Sequence, residues 1–437
     1  MKKLLLLTLP VIIFAKSFMI SNIPLPRTYI QNLDPYNCDN ICLQEYLQKD
    51  MIFSFLAHAD GKLSDRDLDE ARVMNISILH IGAYNNEGEL KIALLLPYKK
   101  IGKYAASTVN ATFAYLMTKS NPFNLKTYRV ESEDPQDLQK ALTAIENDGF
   151  HYVIATVTKK GAQNIVDLDP SLYIYFPTIN TNNLAAASPY YIFGAIDYNA
   201  QSKMLLKEAV SPLVIFSDKS RTGQVLAHYE EEEFLHPTKT VEEDVEENGV
   251  FGSFFNASKT EQKKEVPVQT ATNRRVVKYF IPRKTTNLAP FIKKNKRLEN
   301  ASLFINTPTI KTGMLLSQLT LYDTNTTNVL STQINYAPLL LSMTQYVDRK
   351  NMIIANSIIQ NNDILIETNS LLGNDIIYDW INYTTTVGID YFYSQITGEA
   401  RDYNIPLQNN QMVYKIELLH PGKTKFLPYT SRREKRY

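Results

Sequence analysis

Cysteine, glycine, histidine and tryptophan are all scarce in this 437-residue chain, and each shortage removes a class of chemistry. The two cysteines, Cys38 and Cys42, are too few for a disulfide-dense scaffold. The six histidines, at positions 58, 80, 151, 228, 236 and 420, show no ligand spacing, so no metal site is read from them. Fifteen glycines leave little material for phosphate-cradling loops. There is no Gly-x4-Gly-Lys loop, no Gly-x-Ser-x-Gly nucleophile elbow and no His-Glu-x-x-His helix. No catalytic signature and no cofactor motif is found, so the chain is read as a non-enzyme.

An excess of one charge is missing too. The 46 basic and 45 acidic residues leave a net charge of +1, which excludes a broad basic surface for nucleic acid. Long apolar runs are absent after the first sixteen residues, so no integral membrane segment is expected beyond them. Those first residues are distinctive. Met1-Lys2-Lys3 is a positive start, Leu4 to Phe14 is apolar, and Ala15 is a small residue before a cut. The pattern predicts a secretory signal peptide over 1–15, too short to span a bilayer. Its removal takes away two lysines and leaves a net charge of −1. No cysteine stands at the cleavage region to carry a lipid. A periplasmic location is the expectation. In that oxidising compartment Cys38 and Cys42, three residues apart where a thioredoxin-type motif has two, suit a local structural disulfide.

What is present is alternation. Residues 16–89 form an extension in which Leu43, Tyr46, Leu47, Met51 and Phe55 share one face, predicting a helix over 42–57. Ser64-Asp65-Arg66-Asp67 can cap another short helix. From Leu90 the chain reads as strand and helix in turn. Strands are predicted at 91–97, 125–130, 151–155, 172–176 and 213–216, and again at 276–281, 301–306, 329–333 and 351–356. Helices are predicted at 102–118, 135–147, 160–168, 197–210, from Ser220, and at 287–297, 310–322, 338–345 and 371–387. A terminal hairpin would pair 395–403 with 411–418. This order predicts an α/β fold with parallel sheets covered on both faces. Residues 230–272, opening on Glu230 to Glu233, interrupt it as a charged, solvated insertion. Residues 431–437 are a basic tail.

The order resembles a type I periplasmic binding protein, the two-lobed fold of branched-chain amino-acid receptors. It is also similar to the binding-protein-like domain of lipoproteins that activate peptidoglycan synthases. The residues that carry the resemblance are Lys91-Ile-Ala-Leu-Leu-Leu-Pro97 with Gly102; Tyr152-Val-Ile-Ala-Thr-Val-Thr-Lys159; Phe176-Pro-Thr-Ile-Asn180; Phe193-Gly-Ala-Ile-Asp197 with Gln201; and Gly398-Glu-Ala-Arg401 in the expected late hairpin. The resemblance implies two Rossmann-like lobes plus the small, mainly helical extension. Lobe 1 would take 90–210 and part of the C-terminal region, lobe 2 would take 211–370, and 371–430 would return and end in the hairpin.

Such a fold binds at the carboxyl ends of its strands and closes its lobes on a small ligand. The candidate ligand-binding residues are Tyr98, Thr156, Thr158, Asn180, Thr181, Ser217 and Asn306, all at predicted strand ends. Their hydroxyls and amides suit a small polar ligand. The chain also departs from such receptors. The third-strand loop reads Ala155-Thr156-Val157 where they often have Gly-Pro or Gly-Ser, and no acidic-plus-aromatic set for an amino-acid zwitterion stands out. With the insertion and the extension, these departures keep a second expectation open: an envelope interaction module, regulating peptidoglycan synthesis through a protein partner, with a vestigial cleft.

Asp323-Thr324-Asn325-Thr326-Thr327 fits the extended acceptor pattern of some bacterial N-glycosylation systems. If Asn325 is modified, protein from its native source shows an excess intact mass that disappears in Asn325→Gln.

Overall fold

The computed structural model describes residues 30–34, 36–79, 89–181, 184, 188–237, 274–359 and 361–430. The expected signal peptide, most of the charged insertion and the basic tail lie outside the described residues. The extension holds α1 (Asn40–Gln48), α2 (Ile52–His58) and α3 (Arg66–Ile78). Next come β1 (Leu90–Leu96), α4 (Tyr98–Ile101), α5 (Tyr104–Met117), β2 (Phe123–Arg129), α6 (Pro135–Asn147), β3 (Tyr152–Ala155), α7 (Lys159–Leu168), β4 (Tyr173–Phe176) and β5 (Tyr191–Phe193). The chain continues through α8 (Tyr198–Leu206), β6 (Leu213–Asp218), α9 (Arg221–Leu235), β7 (Val276–Ile281), α10 (Ala289–Ile292), β8 (Ser302–Asn306), α11 (Thr309–Leu321) and β9 (Asn328–Ser331). It ends with α12 (Pro338–Met343), α13 (Tyr346–Arg349), β10 (Met352–Asn356), α14 (Asp363–Leu371), α15 (Trp380–Thr397), β11 (Leu407–Gln408), β12 (Gln411–Met412), β13 (Glu417–Pro421) and β14 (Phe426–Pro428).

Two seven-stranded sheets result. The first has the order β11-β12-β5-β4-β3-β1-β2 and the second β14-β13-β10-β9-β8-β6-β7. Pairings among β1, β2, β3 and β4, and among β6, β7, β8, β9 and β10, are parallel, while the C-terminal strands add antiparallel edges. The described residues form two compact units, one within 1–175, 361–376 and 381–403, the other within 176–360, 377–380 and 404–437.

Local chemistry explains the elements. In β1 every residue but Lys91 is buried, as in a strand covered on both faces. Helix α6 starts at Pro135, which fits the first helical position, and buries Leu138, Ala141, Leu142 and Ile145. In the second unit the period of two sorts β6 between faces. Val214 and Phe216 join one cluster with Leu303, Ile305 and Ile354, and Leu213 and Ile215 join another with Phe304, Leu330 and Ile353.

Several expected elements are broken in the structure. The helix expected over 42–57 is two helices, because Asp50 turns left-handed at φ 54° and lets the Met51 N–H reach back to the Tyr46 carbonyl at 2.9 Å. The apolar face runs through both helices and hides the break. Gly102, at φ 55°, ends the short α4, which was not expected, so the helix expected from 102 begins at Tyr104. Lys294, at φ 55°, divides 287–297 into α10 and a short 3-10 turn. In place of one helix over 371–387 there are α14 and α15, with Gly373 in the left-handed region after the first. Residues 395–397 end α15 and 398–403 carry no strand, so the expected hairpin is replaced by the short pairs β11–β12 and β13–β14. Glu230 to Glu233 belong to α9 rather than to a solvated loop.

The disulfide Cys38–Cys42 is formed, with Cα atoms 5.3 Å apart, at the start of α1. Asp39 caps the same helix by accepting the Cys42 N–H at 3.0 Å. The extension closes its own small core around Leu43, Phe55, Leu56, Ala59 and Leu68.

In the first unit α15 lies very close to β4. The Tyr175 hydroxyl donates to the Thr384 carbonyl at 2.8 Å, and a Cβ on Gly388 would stand 2.3 Å from the Tyr175 ring. Two residues on, Asp390 is buried and accepts from the Tyr115 hydroxyl at 3.0 Å, the Asp402 N–H at 2.7 Å and Arg401 Nε at 3.1 Å. Alanine ordinarily favours a helix over glycine by about 1 kcal/mol. Here overpacking against a ring held at its hydroxyl reverses the sign. Gly388→Ala is expected to destabilise the protein by about 1–3 kcal/mol, read as a lowered urea midpoint. An unchanged or raised midpoint would contradict this packing.

Candidate functional site

Parallel strands deliver their last residues to one edge, and in the second unit those residues are polar. β6 ends in Ser217-Asp218, β8 runs into Asn306-Thr307, β9 into Ser331-Thr332-Gln333, and β10 into Asn356-Ser357. All but Asp218 are buried. Ser217 and Asn306 are register partners on adjacent strands.

Two helices supply the other half of the network. On α9, Glu230 is fully buried and accepts from Asn306 Nδ2 at 2.6 Å and from the Ser202 hydroxyl at 3.2 Å. On α8, Gln201 donates to Ser357 Oγ at 2.8 Å and to Gln333 Oε1 at 3.1 Å, and accepts the Gln333 N–H at 3.0 Å. Asn335 donates to Ser331 Oγ at 2.8 Å. Burial pushes the Glu230 carboxyl well above its usual range, against the opposing pull of its Asn306 and Ser202 hydrogen bonds.

Five side-chain atoms in this network have no hydrogen-bond partner among the described residues: Ser217 Oγ, Asn306 Oδ1, Thr332 Oγ1, Gln333 Nε2 and Asn335 Oδ1. Buried polar atoms are nearly always paired, with protein, water or ligand. A cluster of five at the carboxyl ends of β8 and its neighbours is an inventory of donors and acceptors without formal charge.

The first unit treats its candidates differently. Thr156 is buried and shares a 2.8 Å hydrogen bond with Thr108 on α5. Thr158 caps α7, and its backbone N–H donates to Glu133 Oε1 at 2.7 Å while its hydroxyl donates to the other Glu133 oxygen. The N-terminus of α7 thus receives an anion from the protein itself. Gly161 makes room, since a Cβ there would stand 2.8 Å from the Glu133 carboxyl. Tyr98 opens α4, and its phenol is pushed up to about 12 by burial and then by Asp34 and Tyr36. Asn180 is buried in the second unit, and the Thr181 N–H donates to Gln411 Oε1 at 3.0 Å. Of the seven candidates, Ser217 and Asn306 stand together in the partly unsatisfied network.

Glu230, Gln333, Thr332 and Asn335 were not among the sequence candidates. Glu230 is hidden in a run of four acids, although its spacing from Leu226, Ala227 and Phe234 places it on the apolar face of α9. His228, Glu231 and Glu232 lie on the same helix with potential ligand atoms within 4.8 Å of one another, and Glu231 is already paired with Lys278. Asn325 is exposed, its amide donating to Asn300 Oδ1 at 3.3 Å.

No protein-family model matches the sequence, and no curated protein matches it. Solved structures do. The leucine-binding protein LivK of Thermotoga maritima is similar at 12% identity and a TM-score of 0.51, over 78% of this chain and 98% of that one. The branched-chain amino-acid binding protein LivJ of Streptococcus pneumoniae, solved with isoleucine, is similar at 8% identity and a TM-score of 0.51, over 77% and 97%. The fold is that of the type I periplasmic binding proteins. LpoA of Haemophilus influenzae also aligns, at 11% identity and a TM-score of 0.49, over 87% of this chain and 69% of that one. Among the described residues no helix is long and apolar enough to cross a membrane.

The state of Glu230 has a measurable consequence. Its folded value lies above the ordinary 4.5, so the folded protein holds a proton that the unfolded chain releases first. The stability it contributes is fully present below pH 4.5 and is lost as pH rises toward the folded value. Glu230→Gln is expected to remove this decline. Relative to the parent, the variant's urea midpoint should rise with pH above 4.5; a pH-independent difference would show that the carboxyl is not held protonated.

Proposed function

We propose that this protein is a non-enzymatic periplasmic ligand-binding protein of the solute-receptor type, which closes its two lobes on a small polar ligand and uses no cofactor. The observation that carries the reading is the set of five unsatisfied polar atoms at the carboxyl ends of the second unit's strands. Ligands of open α/β sheets bind at that edge. Hydroxyls and amides without formal charge suit a small, multiply hydrogen-bonding polar solute. The apolar start of the chain, Leu4 to Phe14 after two lysines, supports export.

A second reading is an envelope interaction module, regulating peptidoglycan synthesis through a protein partner. It draws on the extension, which exposes Ile41, Phe53, Met74 and Ile78.

A thermal-shift screen with sugars, nucleobases, amino acids, short peptides and cell-wall fragments separates the two. A ligand at a hundred times its dissociation constant adds about 2.7 kcal/mol of stability. Ser217→Ala removes a hydroxyl without a partner, so it is expected to leave the free protein as stable or more so. It should also reduce the shift given by the ligand. A panel without any saturable hit, together with a destabilised Ser217→Ala, would count against the receptor reading.

A further inference from the structure

The first unit holds a pocket of about 1090 Å³ that lies along β2, the edge strand of the first sheet, and is also lined by Ile30, Gln31, Asn32, Asp34 and Tyr36 of the extension. An edge strand presents a row of unpaired backbone groups, which proteins usually cover or blunt. In a parallel pair alternate residues point their backbone toward the neighbour. The Val130 N–H bonds to Leu96 of β1, so the odd-numbered residues of β2 face outward into the pocket.

One repeat of that outer edge is occupied by a side chain. Gln31 Oε1 accepts the Leu125 N–H at 2.5 Å and Gln31 Nε2 donates to the Phe123 carbonyl at 3.1 Å. A single amide group thus imitates one residue of a neighbouring strand. Beyond it, the outward N–H and C=O of Thr127 and the N–H of Arg129 have no partner among the described residues.

The charge of the lining gives the occupant its chemistry. Six carboxylates face three cations around the pocket. Two of the cations are already neutralised, Lys126 by Asp148 at 2.9 Å and Arg129 by Glu131 at 2.7 Å. Asp60, Glu89 and Asp137 make no ion pair among the described residues. The cavity is lined by residues 122–131 along β2 and its outward hydrogen-bonding edge, and its charged lining is mostly acidic. We propose that β2 is a docking strand for an extended, basic peptide segment of a partner protein, which continues the first sheet where Gln31 leaves off.

The test uses the purified full chain and the fluorescein-labelled peptide Lys-Val-Lys-Val-Lys-Val-Lys, followed by anisotropy. Two controls are the same peptide N-methylated at every residue, which cannot donate a backbone hydrogen bond, and its counterpart with Glu for Lys. Thr127→Pro removes one outward N–H at an edge position where proline is tolerated. Saturable binding of the lysine peptide is expected, weakened at least about tenfold by N-methylation or by Thr127→Pro and lost with the glutamate peptide. Equal binding of the N-methylated peptide would reveal adhesion by charge alone and overturn the proposal. Absence of saturable binding, or equal binding of the glutamate peptide, would overturn it as well. Should Thr127→Pro fail to fold, the peptide comparison decides.

Discussion

Parallel pairing sends the carboxyl end of every central strand to the same edge, and this constraint governs where the second unit can store polarity. The strands are apolar along their length because helices cover both faces. Polar residues therefore gather where the strands stop, and α8 and α9 arrive with Gln201 and Glu230 to meet them. The network that results satisfies most of its own members and leaves five atoms over. That surplus lies at the carboxyl ends of β6, β8 and β9.

Three buried ionisable groups show three ways of meeting the cost of desolvation. Asp390 has the direct partner Arg401 and two backbone N–H groups, yet burial still raises its value. Glu230 has no cation among its hydrogen-bond partners, and burial pushes its carboxyl well above the usual range. Burial pulls Arg349 down, and it has no carboxylate hydrogen-bond partner among the described residues, donating instead to the carbonyls of Thr344, Gly422 and Lys423 and to the Thr344 hydroxyl. Carbonyl dipoles aimed at the guanidinium take the place of a counter-ion. In doing so they fasten the turn between β13 and β14 to α13.

Strands with continuous apolar runs were legible in the sequence, because burial on both faces leaves little room for other residues. Val276 to Ile281 was read with the bounds it has, and α6 was likewise read from Pro135 to Asn147. Breaks between helices were not. Asp50 and Lys294 adopt left-handed backbone without being glycine, so nothing local announced the turn. The edge pairs β11–β12 and β13–β14 are too short to show alternation. Ser217 and Asn306 were accessible by the rule of strand ends. Glu230 was not, because a run of acids reads as a solvated face until the helix phase is known. Thr158 was named for its hydroxyl, but the carboxylate that occupies the helix end comes from Glu133, and only tertiary structure brings it there.

Neither compact unit is a continuous stretch of chain. The first takes back 361–376 and 381–403 after the second has begun, and the second is completed by residues from 404 onward. Strand β13 pairs with β10 only after α14 and α15 have been made. During synthesis, therefore, neither half can reach its final contacts from its own N-terminal portion alone. The C-terminal part of the chain closes both, so their folding is coupled through connectivity, and a truncation before α14 removes helices from the first half and strands from the second at once.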